Sequence, residues 1–294
     1  MDVSDSPALI RKEIVLKDTF GVFETAVMEA MLDGSGYDEG DFLMDVDSLI
    51  NDDGTINVDP EGLAKRRGSG FWVASEGNGS VNEDDRPIRS YNWLFKVLPN
   101  GNITQVVDLP DSVNAKQRRF GFEGVASVGS GRNETVYVCF QREWPGDPSG
   151  LVRIGRYETR TGDWSFAYYP LDGRESPNGG WVGLSEIVSV GWGRFLVIER
   201  DNQAGTDARI KKIYRFSTRG VTFKPDSFAG DFDVVSKREV KDLMPALLAD
   251  NGAVIEKVEG LMVTLRGEVF INTDNDGVDD SSGETQMINL GRLP

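Results

Sequence analysis

Asp59-Pro60-Glu61-Gly62-Leu63-Ala64, followed by Gly70-Phe71-Trp72-Val73-Ala74-Ser75-Glu76, sets out a unit: a small block around a Glu, a turn, and an apolar strand ending on a carboxylate. The same order returns three times. Gly121-Phe122-Glu123-Gly124-Val125-Ala126 precedes Val136-Tyr137-Val138-Cys139-Phe140-Gln141, and Gly183-Leu184-Ser185-Glu186-Ile187-Val188 precedes Phe195-Leu196-Val197-Ile198-Glu199-Arg200-Asp201. Lys257-Val258-Glu259-Gly260-Leu261-Met262 precedes Val269-Phe270-Ile271-Asn272-Thr273-Asp274. The leading glutamates stand 62, 63 and 73 residues apart, a period that suits a four-stranded antiparallel blade with generous loops. Units of this size close into a ring more naturally than they stack, so the expected fold is an all-β propeller.

The segments between the blocks supply the outer strands. Trp93–Val107 reads as a hairpin around Pro99-Asn100-Gly101-Asn102, and Leu151–Tyr169 repeats the pattern around Thr161-Gly162-Asp163. Lys212–Phe216 and Thr285–Leu290 read as third strands of later blades. The expected organisation is one domain over residues 1–294, with units starting near 59, 121, 183 and 257. Residues 1–58 then hold a partial blade and loops: a strand over Ile10–Leu16, a short helix or buried strand over Glu24–Leu32, and a loop over Asp33–Gly40. The arithmetic leaves two closures open, a ring of five blades or a ring of six lacking its first part.

Composition removes several chemistries. The chain has 48 acidic against 32 basic residues, and its net charge of −16 repels phosphate backbones, which excludes nucleic acid as a partner. It contains no His, so Ser-His-Asp and Cys-His catalysis and imidazole-bound zinc are ruled out. Any metal must be held by oxygen, which favours Ca²⁺, Mg²⁺ or Mn²⁺. The single Cys139 lies in an apolar run and is expected to be a buried structural residue. No apolar run is long enough to span a membrane. The first residues lack the pattern of a signal peptide, so either the protein is cytoplasmic or the chain begins inside a longer precursor.

In a propeller the innermost strands line the central channel, so equivalent residues at their ends form a ring. Glu61, Glu123, Glu186 and Glu259 are read as one ring. Glu76, Gln141, Glu199 and Asp274, at the end of the following strands, are read as a second. Carboxylates crowded in a channel need cations, protons or Arg and Lys to offset their repulsion. The competing reading is that each Glu caps backbone N–H groups at a blade turn. Asn272-Thr273-Asp274-Asn275-Asp276-Gly277 follows the alternating oxygen spacing of calcium loops, although Gly283 occupies the twelfth place and Glu284 comes one late, so it is not an EF-hand. The metal-ligand candidates are therefore Glu61, Glu76, Glu123, Glu186, Glu199, Glu259, Asp274 and Asp276. Arg118, Arg119, Arg142 and Arg200 flank the blocks and could hold an anionic substrate or pair with the acidic ring.

These blocks, with Arg119-Phe120-Gly121-Phe122-Glu123-Gly124 and Val197-Ile198-Glu199-Arg200-Asp201, resemble the bacterial phytase-like family described as "esterase-like activity of phytase", over roughly residues 10–292. The resemblance implies an exported propeller that uses calcium to bridge phosphate to carboxylates; the chain is expected to be a monomer that takes a small anionic substrate such as a phosphate ester. The family's opening blade, with its Asp-Arg pair, has no counterpart before Ile10. The expected function is metal-dependent hydrolysis of phosphate esters, with Glu123, Glu186, Arg119 and Arg200 as catalytic candidates and Ca²⁺ as cofactor. The alternatives are a non-catalytic, calcium-stabilised propeller that binds a ligand or protein, and a lactonase or other esterase on a similar scaffold.

Overall fold

The apolar runs become the strands of four antiparallel sheets, each a meander in which strands neighbour one another in chain order. Residues 12–33, 40–251, 254–274 and 285–294 are described by the structure, a computed structural model. The first sheet comprises β1 (Asp59–Lys65), β2 (Phe71–Glu76), β3 (Trp93–Val97) and β4 (Ile103–Asp108). The second comprises β5 (Phe122–Val128), β6 (Thr135–Phe140), β7 (Leu151–Glu158) and β8 (Asp163–Pro170). The third comprises β9 (Val182–Gly191), β10 (Arg194–Asp201), β11 (Lys211–Ser217) and β12 (Lys237–Asp242). In the fourth, β13 (Val258–Val263), β14 (Glu268–Thr273) and β15 (Met287–Arg292) are the strands among the described residues.

The first strands of the sheets pack in succession, β1 on β5, β5 on β9 and β9 on β13. The fold is thus an all-β propeller of four blades. Neither a fifth nor a sixth blade is present among the described residues, so the expected blade number is not met.

Apolar burial between blades holds this order. Trp72, Ala74 and Leu94 of the first sheet meet Phe122, Val125, Val138 and Trp164 of the second. Ala126, Cys139 and Ile154 meet Leu184, Ile187 and Phe195 across the next boundary, with Cys139 fully buried. Ile198 and Ile213 meet Val258, Leu261 and Ile271 across the last. Each fully buried side chain of this size contributes about 1.5–3 kcal/mol relative to exposure.

Among the described residues before Asp59, no strand of a partial blade forms. Helix α1 (Val22–Asp33) lays Phe23 and Val27 on Trp93, Phe95 and Val97 of the first sheet, and the turn α2 (Val46–Leu49) adds Leu49. Asp18 fixes the start of α1: its carboxylate accepts the N–H groups of Val22, Phe23 and Glu24 at 2.8–3.0 Å. The strand expected over Ile10–Leu16 does not form over its described part; sheet-like pairing is confined to Lys17, which bridges Thr55 and Asn102. The loop reading for Asp33–Gly40 lies mostly outside the described residues.

Candidate metal and anion site

Three of the four inner strands open on a bulge, and the bulged residue is a Glu. Pairing of β1 with β2 skips Glu61, that of β5 with β6 skips Glu123, and that of β13 with β14 skips Glu259. A bulge leaves one residue unpaired and re-aims its side chain, here toward the axis shared by the blades. In the third sheet the skipped residue is Ser185. Glu186 therefore stands one place later, where the other blades have Gly62, Gly124 and Gly260. This corrects the expectation that Glu186 is the fourth member of the ring.

The displacement changes what Glu186 does. Its neighbours at the equivalent position are glycines because the backbones approach closely: a Cβ on Gly62 would lie 2.7 Å from the Val125 nitrogen, and one on Gly124 would lie 2.6 Å from the Ile187 nitrogen. Glu186 is buried at this seam, and its carboxylate accepts the N–H of Ile187 at 2.8 Å and that of Val125 in the second sheet. Burial holds its carboxyl well above the usual carboxylate range despite those two bonds. Ser185 bonds the carbonyl of Val258 at 2.8 Å, tying the third sheet to the fourth.

The second ring shifts by the same single residue. Two places before each bulge lie Asp59, Gly121, Gly183 and Lys257; they pair with Glu76, Gln141, Arg200 and Asp274. Arg200, not Glu199, thus belongs to the ring. Glu199 points to the other face, as the two-residue period of a strand requires. There it is fully buried and accepts bonds from the Tyr169 hydroxyl at 2.8 Å, the Asp172 N–H at 2.6 Å and Lys237 Nζ at 2.6 Å. Its carboxyl is raised by burial, with Lys237 offsetting part of the effect. With its lone pairs engaged by three donors, Glu199 is a packing residue of the third sheet.

One cavity of about 900 Å³ receives both rings. Glu61, Glu76, Glu123, Gln141, Glu186, Arg200, Glu259 and Asp274 all line it, together with Asp59, Arg119, Phe120 and Trp181. Asp276 lies outside the described residues, as does the rest of the loop read for calcium beyond Asp274.

The carboxylates gather at the first sheet. Asp59, Glu61 and Glu76 each present an oxygen, and these atoms lie within 4.8 Å of one another. Asp59 was absent from the sequence candidates; its place follows from the register, which sets it across the ladder from Glu76. Burial pushes the Glu61 carboxyl up to about 8, reinforced by Asp59, Glu259 and Glu76. Burial likewise raises Glu76 to about 7; its bonds from the N–H groups of Gly121 and Phe120, at 2.7 Å each, offset only part of this. Phe120 adopts φ +77°, a conformation disfavoured for an aromatic residue, and it turns the Phe120 N–H onto Glu76. Glu123, buried and bonded by the Gln141 amide, lies well above the usual range because it is desolvated and faces Glu76 and Glu61.

Positive charge enters from the third sheet. Arg200 is 2% exposed, pairs with Glu259 through Nη2 and lies 5.6 Å over the Trp181 ring. Its Nε and Nη1 have no hydrogen-bond partner among the described residues. Arg119 stacks 4.5 Å over Phe120, whose ring lies 5.3 Å from Trp181, and Arg142 reaches 5.2 Å over that Trp. Arg118 and Arg142 also pair with Glu83 and Glu143 at the surface.

The residues present fit a hard divalent cation: three carboxylates converge within 4.8 Å, and the chain supplies no imidazole. Among solved structures, the fold is similar to an α-L-arabinanase of Penicillium chrysogenum complexed with arabinobiose, with TM-score 0.41 and 9% identity. That match covers 81% of this chain and 62% of the arabinanase, so the chain spans less than two thirds of that enzyme's length. A protein of unknown function from Bacteroides caccae matches with TM-score 0.33 and 11% identity, covering 81% of this chain and 80% of that one. No curated protein matches the sequence. Residues 12–277 match the phytase-like family model, described as esterase-like activity of phytase, and the chain belongs to that family.

Proposed function

We propose that the protein is a metal-dependent hydrolase of phosphate esters, with Ca²⁺ as its cation and its reaction centre in the cavity between the inner strands. The observation that carries this reading is the convergence of Asp59, Glu61 and Glu76 within 4.8 Å in a cavity that also holds a buried, partly unpartnered Arg200. Asp59, Glu61 and Glu76 would hold the cation. A cation bound there polarises a phosphoryl oxygen and lowers the pKa of an attached water.

The remaining residues bind, orient and move protons. Arg200 offers Nε–H and Nη1–H donors to a phosphoryl oxygen, and its pairing with Glu259 and contact with Trp181 fix the guanidinium before substrate arrives. Arg119, at the mouth, adds charge that draws an anion inward. Glu76 is oriented through the one oxygen that accepts both N–H bonds, leaving its second oxygen for the cation. Glu123, its carboxyl fixed by Gln141, faces the same cavity and is placed to exchange a proton with the reacting ester. Glu186 acts by position, since its bonds to the backbone keep the second and third blades in register.

A second reading, a calcium-stabilised propeller that binds a ligand without turnover, draws support from the structural engagement of Glu186 and Glu123. Hydrolysis of an aryl phosphate with added Ca²⁺ or Mn²⁺, beside melting curves with chelator, separates the two. Cation-dependent turnover abolished in Glu61→Gln supports the hydrolase. A large chelator shift in melting without turnover overturns it in favour of the binding module.

A further inference from the structure

The inner strands all start at the acidic cavity, so the hairpins that join them to the second strands lie together at the opposite end. From Ser185 to Trp192 is seven residues, roughly 23 Å of extended chain. In a chain of net charge −16, these tips are basic. Arg67 lies at the β1–β2 tip, Arg132 at β5–β6, Arg194 at β9–β10 and Arg266 at β13–β14, and all four are exposed. None of the four pairs with a carboxylate among the described residues. The β7–β8 turn, at the same end, adds exposed Arg160 beside the one exposed acid of these turns, Asp163.

Two adjacent tips carry bare apolar side chains directly beside those arginines. Trp192 is 76% exposed, and Leu265 is fully exposed. Trp192 also adopts φ +57° between Gly191 and Gly193, at φ +83° and +69°, so the hairpin holds an aromatic residue outward in a backbone conformation aromatics rarely take. A solvated turn would place Asn or Gly there without strain.

We propose that this end of the propeller is a peripheral docking surface for an anionic lipid bilayer, with Trp192 and Leu265 entering the interface and the flanking arginines, Arg194 and Arg266 foremost, facing the headgroups. An amphipathic Trp beside cations suits the boundary between headgroup and acyl chain, and each basic residue held near an anionic surface strengthens binding severalfold. The net charge of −16 opposes association with such a surface, so a contact has to be made through a locally basic patch such as these tips. The proposal is independent of the hydrolase reading.

The test is co-sedimentation of the full chain with vesicles of phosphatidylcholine alone and with added phosphatidylglycerol, at low and high salt. The expected result is binding to the anionic vesicles that weakens with salt. It should fall by about tenfold or more in Arg194→Glu/Arg266→Glu and also in Trp192→Ser/Leu265→Ser. Melting curves and the chelator response of both variants should match the parent, which keeps misfolding apart from loss of docking. Absence of binding at low salt, equal binding to neutral vesicles, or unchanged binding by either double variant would overturn the proposal.

Discussion

Arg200 of the third blade pairs with Glu259 of the fourth, so the boundary between these blades is closed at the cavity by a buried cation and a half-buried carboxylate. Removing Arg200 leaves Glu259 unpaired in a partly desolvated site. Arg200→Gln should therefore lower stability in urea by about 1–3 kcal/mol, and adding Glu259→Gln should recover part of that loss. A double-mutant cycle reads the coupling directly. Strictly additive losses would mean that the pair does not hold the boundary.

The carboxylate cluster gives the metal-free protein an unusual pH dependence. Glu61 and Glu76 titrate at about 8 and about 7 in the fold, against 4.5 as the ordinary value. A carboxyl raised by folding stabilises fully below the unfolded pKa, and that contribution is lost as pH climbs through the folded pKa. With chelator present, the melting temperature should decline from about pH 4.5 to 8. Excess Ca²⁺ should reverse the trend over the same window, with proton release on binding. Glu61→Gln should flatten the metal-free curve; a decline of undiminished slope would locate the effect elsewhere.

Gly124 lies where the second and third blades touch, without a positive φ, so a substitution there tests the close packing of this seam, including the Glu186 carboxylate that an added Cβ would crowd first. An added methyl would meet the Ile187 nitrogen at 2.6 Å, a backbone atom that cannot rotate away. Gly124→Ala should cost about 1–3 kcal/mol in denaturant unfolding. Gly131, whose Cβ would meet nothing within 4 Å, serves as a contrast for crowding, although its φ of +58° adds its own strain.

Much of this architecture is legible in the sequence because it rests on apolar alternation and glutamate spacing, and both survive into the sheets. The one-residue exchange in the third blade shows where legibility stopped. Aligning on glutamate chose Glu186, yet the strand geometry depends on which residue bulges, and that is Ser185. The spacing held the clue: Glu76 and Asp274 follow their bulged residues by 15 places, and from Ser185 the same count arrives at Arg200. Asp59 was missed for a related reason. Its role follows from lying across the ladder from Glu76, a relation set by register and invisible in local sequence. The N-terminal segment misled because Ile10–Leu16 has strand composition, while composition alone does not make a strand: pairing beside β4 is limited to the bridge from Lys17 to Asn102.

Glu199 and Glu61 offer the sharpest contrast, because the sequence makes both of them metal-ligand candidates and the structure puts only Glu61 in the cavity. Glu199 is satisfied by Tyr169, Asp172 and Lys237 on the face away from the cavity, whereas Glu61 stands among like charges inside it. Glu199→Gln should therefore cost about 1–3 kcal/mol of stability, since Lys237 loses its buried partner, and leave Ca²⁺ affinity by calorimetry unchanged. Glu61→Gln, and likewise Asp59→Asn, should weaken Ca²⁺ by about tenfold or more with little loss of metal-free stability, because each relieves repulsion. Should Glu199→Gln weaken Ca²⁺ as strongly as Glu61→Gln, the cation would have to be reassigned to the face of the third sheet.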